Sequence, residues 1–532
     1  MNMVFRALAR GERVNVITLV VCVFFGAQTD IAAAAEITTN GTGGGPWSAP
    51  ATWQGNAVPG PGDTVVIRKF DAVTFDRNDD GKISCRKLHI DPRGGLLFKT
   101  GAGKIVLCVG DVIESFGAIK LDGTKSATDE IELRMVGDTA AKRKIKLAKG
   151  AALLLYGKAN LPKDRRNVGL TSPKLADQKD DLVSFIDADG AVIFDWQHAR
   201  FHDVKLQALN IDNTGSKANE RINLISNRFT GQARVWLRQC DTPVIAKNHF
   251  DYPGKTSLTE AAISVLFSPL TEIKGNTIRG KFAIGITVNY QSDSVVVDNT
   301  IEKCDAGITG GYGIPNTMIQ KCVIRDCDLG IRLEGGNGVV EDTVVERARI
   351  AFHHQNANLQ LTNFQIKDLA AKGTAVLFDD GALSLLNCNI APGQIKVAPQ
   401  GPKATGVPVT CLQYVVIRVK DAPADARIDI RTDDPKLAAD GADPNVRNSP
   451  APLTDGLTPL PGALNPLTVK AWTIDLKGKL IVSPSYNVKV LGPAPKAGAA
   501  RPVLKSVPFR PAENSFRAKR DDATPTLEVL LK

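Results

Sequence analysis

The sequence predicts an all-β protein whose central part is a right-handed parallel β-helix. A short sequence motif, the repeat phrase, recurs about every 23 residues between Phe201 and Ile390. This spacing is typical of solenoid proteins. Each repeat also divides into three short apolar segments separated by polar residues, as expected for three strands per coil. The clearest copies of the phrase are Gly275-Asn276-Thr277-Ile278, Asp298-Asn299-Thr300-Ile301, Lys321-Cys322-Val323-Ile324, Asp342-Thr343-Val344-Val345, Asn363-Phe364-Gln365-Ile366 and Asn387-Cys388-Asn389-Ile390.

The residue types within the repeat distinguish a β-helix from a leucine-rich repeat of similar period. A leucine-rich repeat needs leucines at fixed offsets and often a helical segment. Here Ile, Val and Phe recur, and the residues between them are Asn, Asp, Gly and Thr, which favour strands and tight turns. We therefore expect stacked coils whose interior includes Ile278, Ile301 and Ile324. The stretch resembles the right-handed β-helix repeat family over about 200 residues.

The N-terminal residues are typical of a secretory signal. Arg6, Arg10 and Arg13 precede an apolar run over residues 14–27, which is too short to span a bilayer comfortably. Small residues at positions 33–35 then provide a cleavage site. We expect the mature chain outside the cytoplasm (secreted, periplasmic or on the cell surface), with no transmembrane segment after signal removal.

Changes in composition divide the chain into six parts. The repeats stop after Ile390, prolines follow, and short alternating strands such as 412–419 and 486–490 then suggest an immunoglobulin-like accessory domain. The predicted parts are a signal peptide (1–35), an N-terminal β-rich capping module (36–170), the β-helix (171–398), a Pro-rich linker (399–410), a small β-sandwich-like domain (411–492) and a basic, disordered tail (493–532).

The β-rich module at 36–170 begins with a characteristic pair of tryptophans. Trp47 and Trp53 are followed by the turn Pro61-Gly62-Asp63 and by the strand Thr64-Val65-Val66-Ile67. This order resembles the G-eight domain over roughly residues 45–150, an extracellular module of hyaluronan-binding cell-migration proteins and fibrocystin-like proteins. The resemblance implies engagement of a glycan, and it implies that the module caps the open first coil of a β-helix.

The net charge of +10 is concentrated in two regions, around 142–166 and in the C-terminal tail. The first contains Lys142, Arg143, Lys144, Lys146 and Lys149. Such clusters are either solvated surfaces or a site for an anionic polymer, such as an acidic polysaccharide or a lipopolysaccharide. No nucleic-acid partner is expected.

Two local patterns concern cysteines and calcium. Cys304 and Cys327 occupy the same repeat position, so they should lie on adjacent coils, as stacked buried thiols or as a disulfide.

Asp76, Asn78 and Asp80 occupy the first, third and fifth places of a calcium loop. Lys87 stands at the twelfth place, where a bidentate carboxylate is usual. A polar turn and a weak calcium site are both compatible with this segment.

We expect the catalytic and substrate-binding residues where the outward side chains of successive coils form columns. The repeat aligns Thr287 and Asn289 with Thr309 and Gly311, and then with Arg332 and Glu334, His353 and Gln355, and Leu377 and Asp379. Tyrosines can pack on sugar rings, Arg332 can pair with a uronate, and His353 or Glu334 can move protons. The predicted catalytic residues are therefore Glu334, His353 and Asp379, and the predicted substrate-binding residues are Arg332, Tyr290 and Tyr312.

Two functions are compatible with this surface. One is an exported protein that binds polysaccharide or cell-surface glycan as a binding or structural surface protein. The other is a glycoside hydrolase or lyase acting on an acidic glycan. Polygalacturonases share this fold, but of their motifs only the aspartate pair Asp379-Asp380 has a similar counterpart here. The sequence is thus compatible with an enzyme and with a non-catalytic protein.

Overall fold

The computed structural model describes residues 34–162, 165–173, 183–190, 192–211, 222–290, 293–311 and 315–398. Towards the C terminus it describes 409–420, 427–432, 467–474, 480–482, 486–492, 495–496, 500, 502–509 and 526–530. The predicted leader, except residues 34 and 35, and the predicted linker, except residues 409 and 410, lie outside these ranges. No helix in the described ranges is long and apolar enough to cross a membrane.

Three parallel sheets, A, B and C, wind around one apolar core, which confirms the predicted right-handed parallel β-helix. Sheet A is 15-stranded and sheet B is 11-stranded. The strands of sheet A are Glu36–Thr38, Thr64–Ile67, Lys87–Ile90, Ile113–Ser115, Lys144–Leu147, Ser184–Asp189, Val204–Leu209, Arg234–Arg238, Ala261–Leu266, Ile284–Asn289, Ala306–Gly311, Leu329–Glu334, Ile350–Gln355, Thr374–Phe378 and Ile395–Val397. We call each strand of a sheet a rung.

Sheets B and C form the other two sides of the coil. Sheet B contains Lys104–Val109, Glu130–Met135, Val168–Thr171, Arg200–His202, Arg228–Thr230, His249–Tyr252, Thr277–Gly280, Thr300–Glu302, Val323–Arg325, Val344–Glu346 and Gln365–Lys367. Sheet C contains Gly44–Pro46, Ala72–Phe75, Gly95–Phe98, Ala118–Asp122, Ala152–Tyr156, Ile193–Gln197, Ile222–Ile225, Val244–Ala246, Glu272–Lys274, Val295–Val297, Pro315–Gln320, Asn337–Glu341, Ala357–Thr362, Gly381–Leu386 and Val409–Lys420. Within the described ranges, four single-turn 3-10 helices occur at Pro50–Thr52, Gln54–Asn56, Ala140–Lys142 and Pro392–Gln394.

The parallel coils begin much earlier than the repeat phrase does. Strand Glu36–Thr38 already pairs in parallel with Thr64–Ile67, and the ladder of sheet B continues from Val168–Thr171 to Arg200–His202. Residues 36–170, expected as a separate module, therefore form coils stacked on those of 171–398. The repeat phrase is less regular there, and this is why the sequence did not reveal the continuity.

The last rung of sheet C connects the β-helix to the C-terminal strands. Val409–Lys420 pairs in parallel with Gly381–Leu386 and antiparallel with Leu467–Ile474. A separate antiparallel sheet contains Arg427–Thr432, Tyr486–Leu491 and Val503–Phe509, and the remaining strands are Leu480–Val482 and Thr526–Leu530. Two of these strands, Val503–Phe509 and Thr526–Leu530, lie in the segment expected to be a disordered tail. The β-sandwich stays a prediction.

Equivalent apolar side chains lie directly above one another inside the coils. Ile278, Ile301 and Ile324 are fully buried and paired in register, as the repeat predicts. Earlier in the chain the same column is aromatic, and the Phe229 and Phe250 rings stack with centroids 4.4 Å apart. The coil spacing of about 4.8 Å suits both kinds of contact.

Each repeat phrase begins with two residues that are polar in most copies, for example Asp298-Asn299, and this polar pair has two different roles. Its first residue turns the corner in the left-handed region, as at Asp298 (φ 55°) and Lys321 (φ 51°). Its second residue points inward. The four asparagines at this position form a buried ladder of side-chain hydrogen bonds: Asn227, Asn248, Asn276 and Asn299. The sequence indicated polar corners, but it did not indicate that these amides are buried.

The amide of Asn276 satisfies four polar groups at once. Its Nδ2 donates to the Ile245 carbonyl (2.8 Å) and to Asn299 Oδ1 (3.0 Å). Its Oδ1 accepts from the main-chain N–H of Asn248 (2.9 Å) and from Asn248 Nδ2 (3.1 Å). Because the corner is inaccessible to water, removing this amide leaves these partners without hydrogen bonds.

The first coil is closed by the tryptophan pair. Trp47 and Trp53 are almost fully buried and pack edge to face with centroids 5.1 Å apart. Trp53 Nε1 donates to the Trp47 carbonyl at 2.8 Å, and the Trp47 ring also contacts Phe75. A cap of this kind shields the end of the core, which no earlier coil covers among the described residues.

All eight cysteines in the described residues are free and buried. Cys304 and Cys327 lie on adjacent coils, and the structure favours the stacked thiols over the disulfide. The hydrogen bond with Cys327, together with burial, raises the pKa of the Cys304 thiol. The Cys304 thiol is therefore protonated at neutral pH, and both buried side chains pack as small apolar groups.

Replacing Asn276 by Ala tests the ladder. We expect Asn276→Ala to lower the free energy of unfolding by about 3 kcal/mol, because several buried partners lose a hydrogen bond. The measurement is urea unfolding followed by circular dichroism. Asn337→Ala is the control, because Asn337 is exposed on sheet C. Equal stability of the two variants would show that the ladder contributes nothing particular.

Candidate functional site

The outer surface of sheet A brings the predicted site residues together. Strand register places Thr287 beside Thr309, Thr309 beside Arg332, and Arg332 beside His353. Glu334 lies beside Gln355 on the neighbouring column. The columns drawn from the sequence are therefore confirmed, and we call this surface the sheet A face.

Five side chains on the sheet A face form one hydrogen-bonded group, the polar row. It consists of Arg332, Glu334, His353, Gln355 and Asp379. Arg332 Nη2 donates to Glu334 Oε2 at 3.2 Å, and Arg332 Nε donates to Gln355 Oε1 at 2.7 Å. Gln355 Nε2 donates to Asp379 Oδ2 at 2.7 Å, and His353 Nε2 lies 3.0 Å from the same oxygen.

The two carboxylates of the polar row are linked by other side chains. Glu334 and Asp379 lie two rungs apart, which corresponds to about 9.6 Å along the coil axis. Arg332 and Gln355 form a continuous chain of hydrogen bonds between them. The row thus presents an ordered set of donors and acceptors at the surface, a set that suits the hydroxyl groups of a sugar.

The two adjacent histidines point in opposite directions, as strand alternation predicts. His353 belongs to the polar row, with 15% of its side chain exposed. His354 is fully buried, stacks on Phe378 with centroids 4.8 Å apart, and has its Nε2 3.2 Å from the Ala382 carbonyl. Burial lowers the pKa of His354 to about 4, so this ring is neutral at physiological pH. The pair does not share one ligand position.

Of the two tyrosines predicted to bind substrate, one lies in the described part of the chain. Tyr290 lies at the corner that borders the sheet A face, whereas Tyr312 lies outside the described residues. Tyr290 stacks on Phe267, with centroids 4.6 Å apart and an interplanar angle of 12°. Sequence reasoning missed Phe267, although its position one repeat before Tyr290 was a usable signal. It also missed Trp236 and Arg238, which lie on the preceding rung.

The predicted calcium residues are held by protein partners. Asp76 accepts hydrogen bonds from the N–H and the hydroxyl of Ser48. Asp80 pairs with Lys104 at 2.6 Å and with Arg134, and the hydrogen bond from Lys104 lowers the pKa of Asp80. Asn78 Oδ1 accepts from the Asp80 N–H at 3.3 Å. The described chain contains no group of three or more His, Cys, Asp or Glu side chains arranged to hold a metal. Calcium binding here stays a prediction.

Asp80 belongs to a larger ion network on sheet B. Arg134 also binds Glu132 with an Nε to Oε1 distance of 2.8 Å, and Arg200 Nη2 lies 2.9 Å from Glu132 Oε2. Only 3% of the Glu132 side chain is exposed. Burial opposes its ionisation, but the hydrogen bonds from Arg134 and Thr171 and the charge of Arg200 outweigh it, so the pKa of Glu132 is lowered.

The basic cluster predicted near 142–149 divides between the core and a cleft. Arg143 is buried and donates to the Gly137 carbonyl at 2.6 Å. Lys146 pairs with Glu114 at 2.9 Å, and Lys144 lies 3.7 Å from Asp187. These lysines border a cleft of about 970 Å³ whose floor includes Phe116 and Phe185. Because Lys144 and Lys146 lie beside carboxylates, the cleft is a weaker candidate for an anionic polymer than the charge count suggested.

The comparison with protein families agrees with the coils. A model described as "Right handed beta helix region" matches residues 185–314. This segment covers the middle rungs of sheet A, from Ser184–Asp189 to Ala306–Gly311, and ends before the polar row. No curated protein matches the chain. The resemblance to the G-eight domain is not confirmed and stays a prediction.

The Glu132 network gives a prediction with a defined pH dependence. The pKa of Glu132 in the folded protein lies below its ordinary value of 4.5. Its ionised form therefore stabilises the fold above about pH 4.5, and this stabilisation is lost as the pH falls through the lowered pKa. We expect Glu132→Gln to cost about 3 kcal/mol at pH 7 and progressively less in acid.

The measurement is urea unfolding of both proteins between pH 7 and pH 3. Glu272→Gln is the control, because Glu272 forms no ion pair among the described residues. A loss for Glu132→Gln that does not depend on pH would contradict this account.

Proposed function

We propose that this protein is exported and binds a polysaccharide or cell-surface glycan along the sheet A face. The polar row carries the proposal, because it holds an arginine, a histidine, an amide and two carboxylates in one hydrogen-bonded order on consecutive rungs. Sugars are recognised by such fixed sets of donors and acceptors beside aromatic rings. Tyr290 and Phe267 supply exposed or half-buried rings on the same side of the coil.

The regular spacing of the rungs also supports a polymeric ligand. Outward residues recur at about 4.8 Å along the axis, so a chain of sugar units lying parallel to the axis meets a new pair of side chains at each rung. The similarity of residues 185–314 to right-handed β-helix regions is compatible with such binding. The leader at 1–35 supports an extracytoplasmic location, and mass spectrometry of the secreted chain tests whether it is removed.

Gln355→Ala tests binding, because Gln355 joins Arg332 to Asp379. We expect about a tenfold loss of affinity for the polysaccharide that the wild-type protein binds, measured by calorimetry across acidic and neutral polysaccharides. Gln320→Ala is the matched control. Gln320 donates a similar hydrogen bond to Glu341 at 2.8 Å, but on sheet C. Equal affinities of the two variants would contradict a role of the polar row.

A polysaccharide-degrading enzyme, either a hydrolase or a lyase, is the second candidate. The separation of Glu334 and Asp379 by about 9.6 Å lies at the upper edge of the distance between the carboxylates of inverting glycosidases. In this function Glu334 or His353 transfers the proton and Asp379 assists as the second carboxylate. The hydrogen-bonded chain between the carboxylates favours binding over hydrolysis, because the catalytic water of an inverting enzyme needs that space.

Product analysis distinguishes the two candidates. Wild-type protein is incubated with each polysaccharide, and reducing ends and the absorbance of unsaturated uronates are measured. If the protein is an enzyme, Glu334→Gln should abolish product while Glu341→Gln on sheet C leaves it unchanged. If the protein only binds, neither product forms with the wild type, and the binding found by calorimetry remains.

A further inference from the structure

A second group of side chains lies on the sheet A face, four rungs before the polar row. Trp236 and Arg238 are alternate outward residues of strand Arg234–Arg238. Trp236 is half-buried and Arg238 is exposed. Paired register connects Trp236 to Arg332 through Ser264, Thr287 and Thr309. The two groups are therefore about 19 Å apart on one column.

The surface between the two groups has small side chains. Ser264, Thr287 and Thr309 occupy the three intervening rungs, and the hydroxyls of Thr287 and Thr309 are 2.6 Å apart. Trp236 at one end and Arg332 at the other are much larger. The column is therefore recessed between these two large residues, and we call this recess the trough. Of its three hydroxyl-bearing residues Thr309 is half-buried, whereas Ser264 and Thr287 are buried.

The corner next to this trough carries an aromatic ring in an unfavourable backbone conformation. Phe267 has a φ of 50°, and its side chain is 39% exposed. The equivalent corner of other coils has the same left-handed conformation and is occupied by Asn210, Gln239, Tyr290 or Asn356, of which asparagine tolerates this region best. Phe267 and Tyr290 are the aromatic residues at these corners, and their rings stack on each other at the edge of the sheet A face.

Arg238 lies against this ring and keeps its charge uncompensated. Its guanidinium carbon is 5.6 Å from the Phe267 ring centroid, within cation–π distance. Among the described residues it has no carboxylate within ion-pair distance. Asp189, two rungs earlier on the same column, accepts a hydrogen bond from Asn210 at 2.9 Å. By contrast, Arg332 contacts Glu334 at 3.2 Å and is linked through Gln355 to Asp379.

The two ends of the trough therefore differ in the charges that they present to a ligand. At the polar row one guanidinium is associated with two carboxylates, so this end disfavours an anionic ligand group. At the other end Lys205 and Arg234 share the single carboxylate of Glu260, and Arg238 adds a further cation. An anionic ligand is thus attracted to Arg238 rather than to Arg332, the residue that the sequence indicated for a uronate.

We propose that Trp236, Arg238 and Phe267 form a subsite for an anionic pyranose unit, bearing a carboxylate or a sulfate ester. The guanidinium binds the anionic group, and the aromatic rings contact the apolar face of the sugar. The glycan then lies along the trough, with its acidic unit at this subsite and its hydroxyl-rich units at the polar row. This inference rests on the proposed function.

Arg238→Gln tests the subsite in the full chain. The probes are polygalacturonate, its carboxyl-reduced neutral form, a sulfated galactan and the same galactan after desulfation. We expect Arg238→Gln to weaken binding of the preferred anionic polymer at least about tenfold and to flatten its dependence on NaCl concentration. Binding of the neutral form should not change. Comparison of polygalacturonate with the sulfated galactan identifies the anionic group.

Arg279→Gln is the matched control, because Arg279 is exposed on sheet B and forms no ion pair among the described residues, although Asp251 and Glu302 are its neighbours in register. Phe267→Asn separates a binding role from a structural one. Asn suits the left-handed corner, so this variant should keep or raise the unfolding midpoint while losing affinity for the glycan.

Each outcome bears on the inference. Unchanged affinity in Arg238→Gln, or an equal loss in Arg279→Gln, would overturn the subsite while leaving the proposed function intact. The same holds if the wild type binds neutral and anionic forms equally. Absence of binding to every probe by the wild-type protein would overturn both.

Discussion

The stacking of parallel strands at about 4.8 Å is the constraint on which this structure depends. Every coil must place a similar side chain above that of the coil before it, because the backbone leaves no room for a shift. Inside the coils the result is a column of phenylalanine rings that continues as isoleucines. At the corner the same constraint aligns four asparagines, whose amides bridge adjacent coils away from water. Because each amide bonds to the next coil, the corner hydrogen bonds depend on one another.

The same spacing determines what the outer surface can do. Outward residues from different repeats become neighbours, although they are far apart in the chain. This is how Arg332, Gln355 and Asp379 come within hydrogen-bond distance. A surface built in this way is rigid, since each side chain stands on a strand of a continuous sheet. Rigid, regularly spaced polar groups suit a regular polymer better than a compact small molecule.

Charge along the sheet A face is not uniform, and this affects the choice between the two candidate functions. At the polar row Arg332 already contacts Glu334 and Gln355. Such a preformed network binds hydroxyl groups without large rearrangement, whereas a hydrolase needs a water molecule between its two acids. Near Trp236, Lys205 and Arg234 share Glu260, and Arg238 lies against the Phe267 ring with no ion pair among the described residues. A long ligand with acidic and neutral units fits this order, and this fit favours recognition of a glycan by a surface protein.

The sequence by itself determined the fold and the columns, because the repeat period and the alternation of side chains are local properties of the chain. From them Ile278, Ile301 and Ile324 could be placed in the core, and Arg332 could be placed beside His353. It did not reveal the burial of Asn276, since asparagine at a turn is ordinarily exposed. Nor did it show the early coils at 36–170, where the phrase is irregular, or the exposed Phe267 beside Arg238. The tertiary structure decided these features. Hydrogen bonds and charge pairs between coils depend on the strand register and on the direction of each side chain, and the residue types alone do not specify either.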